Sequence, residues 1–288
     1  MSILYQIGVK LEEKSSKKSW IILIVCHILA AVLFFSWYST QDFFIEDDGD
    51  KILIYKQADS FWKSMDVSLF YTLNGSLKDS KASQTFWAVA NSRWFDLVSA
   101  FLMIGLYSIY IFQGTTEERL ERIKGGLYMS VCMIVGLQLF HLVFTHGRFS
   151  PTRIPLDNSI KLSEYDHITW KIKDSSKKSF PGDHSSVLFM IATFIGYYAR
   201  RWFTFAAAII AILFVLPRMV GGGHWTTDIL VGGGTITLIT CSWALCSPLQ
   251  KFAMKVLHKP GILVMKICGT VIPSLKPPVS EVSESTAS

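Results

Sequence analysis

The chain has 288 residues, 50% of them hydrophobic and 17% charged, with a mean hydropathy of +0.36; this is more apolar and less charged than a soluble domain, and it marks a membrane protein. A net charge of +6 and a pI near 9.0 would suit nucleic acid, but beside long apolar runs surplus lysine and arginine flank spans and face anionic lipid, so no nucleic-acid partner is expected. The five cysteines are scattered without metal-ligand spacing, which argues against a disulfide framework and against zinc.

Residues 1–18 are polar and basic, with Lys10, Lys14, Lys17 and Lys18, and read as a cytoplasmic N-terminus. A first span follows at 20–38, long enough for about 30 Å of hydrocarbon. It lacks a clear small-residue cleavage site, so a retained helix is expected rather than a signal peptide. The loop 39–93 holds the acidic run Glu46-Asp47-Asp48-Gly49-Asp50, then Val67, Phe70, Tyr71 and Leu77 at near-helical spacing, which predicts one or two short interfacial helices. Span two is expected at 94–112 and span three at 127–145, separated by the charged turn 115–124. After the polar, basic loop 146–183 come span four at 184–199, the basic stop Arg200-Arg201, span five at 202–220, the turn 221–226 and span six at 227–246. The tail 249–288 carries Lys251, Lys255, Lys259 and Lys266; its apolar run 261–264 is too short to span, and from Pro273 onward it reads as disordered. The expected fold is an all-α six-transmembrane-helix bundle over 19–248, with the basic hairpins and both ends in the cytoplasm.

Counting spans puts the end of span three, the start of span four and the turn between spans five and six on one side of the membrane, opposite the basic hairpins. Each carries groups suited to a phosphate. After span three come His141, Arg148 and Arg153; before span four comes Phe180-Pro181-Gly182-Asp183-His184; between five and six the chain reads Leu216-Pro217-Arg218-Met219-Val220-Gly221-Gly222-Gly223-His224-Trp225-Thr226-Thr227-Asp228. His224 and Asp228 are one helical turn apart, so a helix starting near His224 would let the carboxylate hold the imidazole's far nitrogen. The triple glycine, ending at Gly223, leaves backbone N–H groups able to close on an anion that Arg218 grips. Pro181-Gly182 running into a helix that begins with His184 aims further N–H groups and a positive dipole end at the same place. If the fragments converge, two arginines and a helix N-terminus surround a histidine nucleophile, His224, with His184 available for proton transfer. No cluster of carboxylates stands at ligand spacing and the arginines supply the countercharge, so neither metal nor cofactor is expected.

Blander readings stand beside these. The stretch could be a surface loop with a capping Asp228, and Trp225 either a substrate wall or an interface anchor. His27, mid-span, reads as an interhelical donor, and His146, His167 and His258 carry no role. Lys171, Lys173, Lys177 and Lys178 suit a polyanionic headgroup or an anionic membrane surface. A transporter or channel would also place charge within the membrane, but here the charges lie at span ends.

The spacing Arg218-x5-His224-x3-Asp228 resembles the third motif of the type 2 phosphatidic acid phosphatase superfamily, and Pro181-Gly-Asp-His184 its second, Pro-Ser-Gly-His. The first, Lys-x6-Arg-Pro, survives in part as His141-x6-Arg148-Phe-Ser-Pro151, with histidine in the lysine position. Pro217 stands where the family usually has serine. Asn91-x-Arg93-x-Phe95-Asp96, Ser150-Pro-Thr152, Lys173-Asp174 and the unusual Pro-Gly-Asp-His are similar to the bacterial lipid A phosphotransferases over roughly residues 60–250. The resemblance implies an inner-membrane enzyme whose loops 39–93, 146–183 and 221–226 face the periplasm. It implies undecaprenyl diphosphate as donor and the 1-phosphate of lipid A as acceptor. It implies His224 as the nucleophile forming a phosphohistidine, Asp228 fixing its tautomer, and His184 moving the proton. Arg148, Arg218, His141, Gly182 and Gly223 would hold the phosphate, with Asp183 beside it turned away or capping the helix. A phosphatase acting on undecaprenyl diphosphate or another lipid phosphate would share that intermediate and differ only in what breaks it.

Overall fold

The computed structural model describes residues 3–45, 51–56, 60–154, 156–199 and 201–278. The acidic run 46–50, Arg200 and the Ser/Glu-rich end from residue 279 lie outside the described residues. Ten α-helices are present among the described residues, and five are long and apolar enough to cross a membrane, which makes this a multi-pass membrane protein.

Helix α1 (Ile3–Tyr38) runs unbroken through the expected cytoplasmic segment into the first span, because no glycine or proline interrupts the chain between Val9 and Tyr38. Two strands then correct the expectation of an all-α chain. β1 (Gln41–Ile45) pairs antiparallel with β2 (Lys51–Tyr55), and β2 pairs in parallel with β3 (Gly147–Arg148), Leu53 lying opposite Arg148. Runs this short, reading Gln-Asp-Phe-Phe-Ile and Lys-Ile-Leu-Ile-Tyr, give too few alternations to announce a strand. Two short helices follow in the same loop, α2 (Phe61–Gly75) capped by the Ser60 side chain and α3 (Lys81–Ala90) capped by Ser80.

Helices α4 (Arg93–Phe112) and α5 (Thr116–Val143) form a hairpin whose second arm opens with a capping box between Thr115 and Glu118. α6 (Asp183–Tyr198) has 16 residues, about 24 Å of helix, and is shorter than the five candidate spans. It is the element the others enclose. Leu188 and Ile195 pack with Met103 and Leu106 of α4 and with Phe203, Ala207 and Phe214 of α7 (Arg201–Val220). Met190 and Phe194 pack with Tyr128 and Met129 of α5 and with Ile236, Cys241 and Leu245 of α8 (Gly234–Cys246). α8 follows directly on a π-helical turn, Asp228–Gly233, and lies along α1. Close contact of α5 with α8 depends on Gly136, where a Cβ would sit 2.3 Å from Thr240 Oγ1.

The segment expected as a tail folds into α9 (Leu249–Val256) and α10 (His258–Val271). α10 buries Ile262 and Met265 against Leu120 and Ile123 of α5, together with Leu275. The apolar run 261–264 lies within this helix and covers the start of a neighbouring one.

Candidate functional site

The last turns of α1, α5 and α7, the first turns of α4 and α6, and the π turn all gather at one end of the bundle, with the loop 144–182 and helix α2 packed over them. Asn74 of α2 ties this layer together: its amide nitrogen donates to Ile160 O (2.8 Å) and Val220 O (3.0 Å), and its oxygen accepts from Ile160 N (2.7 Å).

The glycine stretch behaves differently from its sequence reading. Gly221 N–H donates to Pro217 O, Gly222 N–H to Met219 O, and the N–H groups of Gly223 and His224 both to Arg218 O, at 2.9–3.1 Å. The amides that were expected to close on an anion instead close a turn. Gly222 has φ of +73°, and a Cβ there would meet Thr152 and Phe70; a Cβ on Gly223 would lie 2.5 Å from Lys173 O. Glycine is required here because the backbone of the 144–182 loop is laid directly over the turn. Gly182 N–H likewise donates to Asp228 O (3.0 Å), joining the start of α6 to the π turn. The first intrahelical bond of α6 is Ser186 N–H to Gly182 O (2.9 Å), so the N–H groups of Asp183, His184 and Ser185 lie ahead of its ladder.

Helical conformation begins at Thr226, two residues after His224, so His224 and Asp228 do not share a helix. The Asp228 carboxylate caps that start by accepting from Trp225 N (2.7 Å), and its Oδ2 lies 3.6 Å from His224 Nδ1. The nearer partner of Nδ1 is the carbonyl of Ser179, at 2.7 Å. A carbonyl only accepts, so Nδ1 carries the hydrogen and Nε2 presents its lone pair. Asp228, expected to fix the tautomer, thus stands behind a backbone oxygen that holds Nδ1 more closely.

Arg148 is the centre of a buried ionic chain. Nη1 donates to Asp228 Oδ1 (2.5 Å) and Thr227 Oγ1 (2.7 Å), while Nη2 donates to Asp66 Oδ2 (2.8 Å) and Tyr55 OH (3.1 Å). Asp66 also accepts from Thr227 N and Oγ1 and from Tyr55 OH, at 2.6–2.9 Å. The rings of Trp37, Tyr55 and Trp225 stand 5.3–5.5 Å from the guanidinium carbon. Burial opposes the charge on Arg148, but Asp228 and Asp66 outweigh it and raise the guanidinium's pKa above its ordinary value. Burial also pushes the Tyr55 phenol up, Arg148 pulling the other way, so the ring stays a neutral donor to Asp66. In this arrangement Arg148 addresses the carboxylate behind His224. Trp225 proves to be neither substrate wall nor interface anchor: its indole N–H donates to Phe149 O and the ring closes the arginine chamber.

Arg218 faces a more open setting. Nη1 donates to Asn91 O (3.1 Å) and Oδ1 (2.6 Å), and Nη2 to Asp96 Oδ1 (2.5 Å). Lys173 Nζ reaches the other oxygen of Asp96 at 2.7 Å, and His184 Nε2 lies 3.8 Å from Oδ1. His141 Nε2 pairs with Asp183 Oδ1 at 3.0 Å, both side chains well exposed, so these two departures from the family pattern answer each other. Of the lysines singled out in the basic loop, Lys173 is drawn into the site. No group of three or more metal-ligating side chains occurs among the described residues.

Tyr55, Asp66, Thr227 and Ser179 were missed by the sequence reading. Asp66 had a signal, since it shares the buried face of α2 with Phe70 and Asn74 at four-residue spacing. A charge on an apolar face needs a partner of opposite sign. Ser179 acts through its carbonyl, which leaves no trace in residue type.

Residues 126–251 match the model of the PAP2 superfamily. The chain is 31% identical over 228 residues to the "Lipid A 1-diphosphate synthase" of Escherichia coli (strain K12), covering 79% of this chain and 88% of that one. It is 25% identical over 179 residues to the "Putative undecaprenyl-diphosphatase YbjG" of the same organism, covering 62% and 80%. No solved structure matches it. A relative this similar across most of both chains, with the superfamily model falling on the segment that carries α5 to α8, settles the affiliation: the chain belongs to the PAP2 superfamily and is a phosphotransferase or phosphatase.

Proposed function

We propose that the protein is a bacterial inner-membrane lipid phosphotransferase that moves a phosphoryl group from undecaprenyl diphosphate to the 1-phosphate of lipid A through a phosphohistidine on His224, its site facing the periplasm. The observation that carries this reading is the imidazole of His224, pinned through Nδ1 to a backbone carbonyl, which leaves Nε2 for a phosphorus, at the bundle end it shares with His184, Arg218 and the N-terminus of α6. The relative named for lipid A supports the acceptor, and the relative named for undecaprenyl diphosphate supports the donor.

In the first step Nε2 bonds to the terminal phosphorus, and the P–O bond to the leaving group breaks with its electron pair on undecaprenyl phosphate. Arg218 and the first N–H groups of α6 offset charge on the transferring oxygens. The buried chain of Asp66, Arg148 and Asp228 carries a net charge of minus one beside His224, and so stabilises the imidazolium that phosphorylation creates. In the second step an oxygen of the acceptor phosphate attacks and the N–P bond returns its electrons to Nε2. A polyprenyl phosphate leaves without protonation, and an acceptor phosphate with its second pKa near 6 is already a nucleophile at neutral pH. A water molecule is not, and needs His184 as base.

The phosphatase reading remains the second one, favoured by the placement of His184 at the same opening. Purified protein given undecaprenyl diphosphate labelled in its terminal phosphate, with and without lipid A, separates them. Label on lipid A is the expected result; label only in free phosphate overturns the transferase reading. His184→Ala is expected to reduce hydrolysis more than transfer, and equal loss of both would refute the division of labour.

A further inference from the structure

Among the described residues, Asp96 is the carboxylate at the mouth of the site on which separate cationic segments converge. It lies in the first turn of α4; Arg218 comes from the last turn of α7, Lys173 from the 144–182 loop and His184 from the first turn of α6. Its two oxygens each take one cation, Arg218 at 2.5 Å and Lys173 at 2.7 Å. His184 Nε2 is directed toward the same carboxylate but at 3.8 Å falls short of a hydrogen bond, and it is a buried nitrogen with no other partner. Arg218 and Lys173 already hold one oxygen each, and His184 Nε2 is the group left without a hydrogen bond. A phosphate has oxygens enough for Arg218 and Lys173 together, which would leave the carboxylate to His184.

Resting on the proposed phosphoryl-transfer reading, we infer that Asp96 is an internal competitor for the phosphate seat: it holds Arg218 and Lys173 while the site is empty, yields them to an incoming phosphate, and is thereby freed to pair with His184. The exposures fit an exchangeable pairing. The side chain of Asp96 is 22% exposed and that of Lys173 48%, whereas Asp66 and Asp228, paired to Arg148, are 0% exposed. An ion pair open to water is weak enough for a better anion to displace, and a dianion bearing three equatorial oxygens is a better partner for an arginine and a lysine than one carboxylate. Once released, the carboxylate stands beside His184 as Asp228 stands beside His224. It then stabilises the imidazolium formed when His184 takes a proton from water attacking the phosphohistidine; the water oxygen bonds to phosphorus, the N–P bond breaks back to His224, and the proton rests on His184.

The test is inhibition by inorganic phosphate of undecaprenyl diphosphate turnover, in the full-length protein and in Asp96→Asn. Asparagine keeps the shape and the acceptor oxygen but removes the charge, so phosphate is expected to inhibit roughly fivefold more tightly while hydrolysis falls relative to transfer. Asp96→Ser serves as a second variant of independent folding risk, with the same expectation. In a Lys173→Ala background the tightening should shrink, since one of the contested cations is gone. Wild-type inhibition with no tightening in either variant, or weaker inhibition, overturns this inference alone and makes Asp96 a structural anchor of Arg218. A wild-type enzyme indifferent to phosphate overturns the seat itself, and the phosphoryl-transfer reading with it.

Discussion

Two arginines stand at this site, and their sequence motifs make them look like a matched pair of clamps. Arg148 is 3% exposed, its acidic partners are fully buried, and both ends of its fork are committed to protein atoms. Arg218 is nearly as buried, at 5%, but its carboxylate partner is 22% exposed and shares itself with an exposed lysine. A closed network of that kind is costly to desolvate and costly to break, so it belongs to the architecture that aims His224. The open one can change partners, so it belongs to the reaction. Motif position alone does not separate an arginine that touches substrate from one that holds the group behind the nucleophile.

Three sets of variants test that contrast. The largest effects are expected at the nucleophile: His224→Asn should leave no turnover and no acid-labile phosphoenzyme, and Asp228→Asn should cost up to about 10⁴ in rate by analogy with other histidine–aspartate pairs. Detectable phosphoenzyme in His224→Asn would remove the nucleophile from the scheme. The two arginines should then part company. Arg148→Ala strands two buried carboxylates and is expected to lower unfolding stability by about 3–5 kcal/mol, read as a depressed thermal midpoint. Arg218→Ala should leave the midpoint close to wild type and fail in turnover; equal loss of stability in both would erase the distinction. Smaller effects belong to the far end of the chain. Asp66→Asn is expected to lower kcat roughly 10- to 100-fold at nearly constant KM, the range for a group acting behind a ligand. Tyr55→Phe removes two hydrogen bonds, one given to Asp66 and one taken from Arg148, together worth about 1–2 kcal/mol of stability, and should barely alter kcat. A rise in KM in Asp66→Asn would bring that aspartate forward into substrate binding.

Much of this was legible before any coordinates. The membrane class and the five long helices follow from runs of apolar residues, although six spans were expected and the fourth, α6, is shorter than the others; the meeting of His184, His224, Asp228 and both arginines at one end follows from counting those runs. What was hidden has physical reasons. The helix after His224 starts two residues late because Asp228 caps it, which no spacing rule distinguishes from a helix that begins at the histidine. The amides of Gly221 to Gly223 close on carbonyls of α7, a backbone choice invisible in side-chain identity. Strands β1 and β2 are five residues each, and β2 carries Tyr55 toward Arg148 by pairing with a strand almost a hundred positions later in the chain. Long-range partners of this sort are decided by the assembled fold.

The π turn at Asp228–Gly233 closes with five residues where an α turn uses four. Each residue added to or taken from a helix swings everything beyond it by about 100°. That turn therefore fixes the angle between the carboxylate at its head and the face that α8 lays against α5 and α6. The segment cannot lose a single position without sacrificing either the aim of Asp228 or the helical seam below it, and at Gly232 and Gly233 a Cβ would also run into Pro181 and Ser185. Its length sets the bearing of everything that follows it.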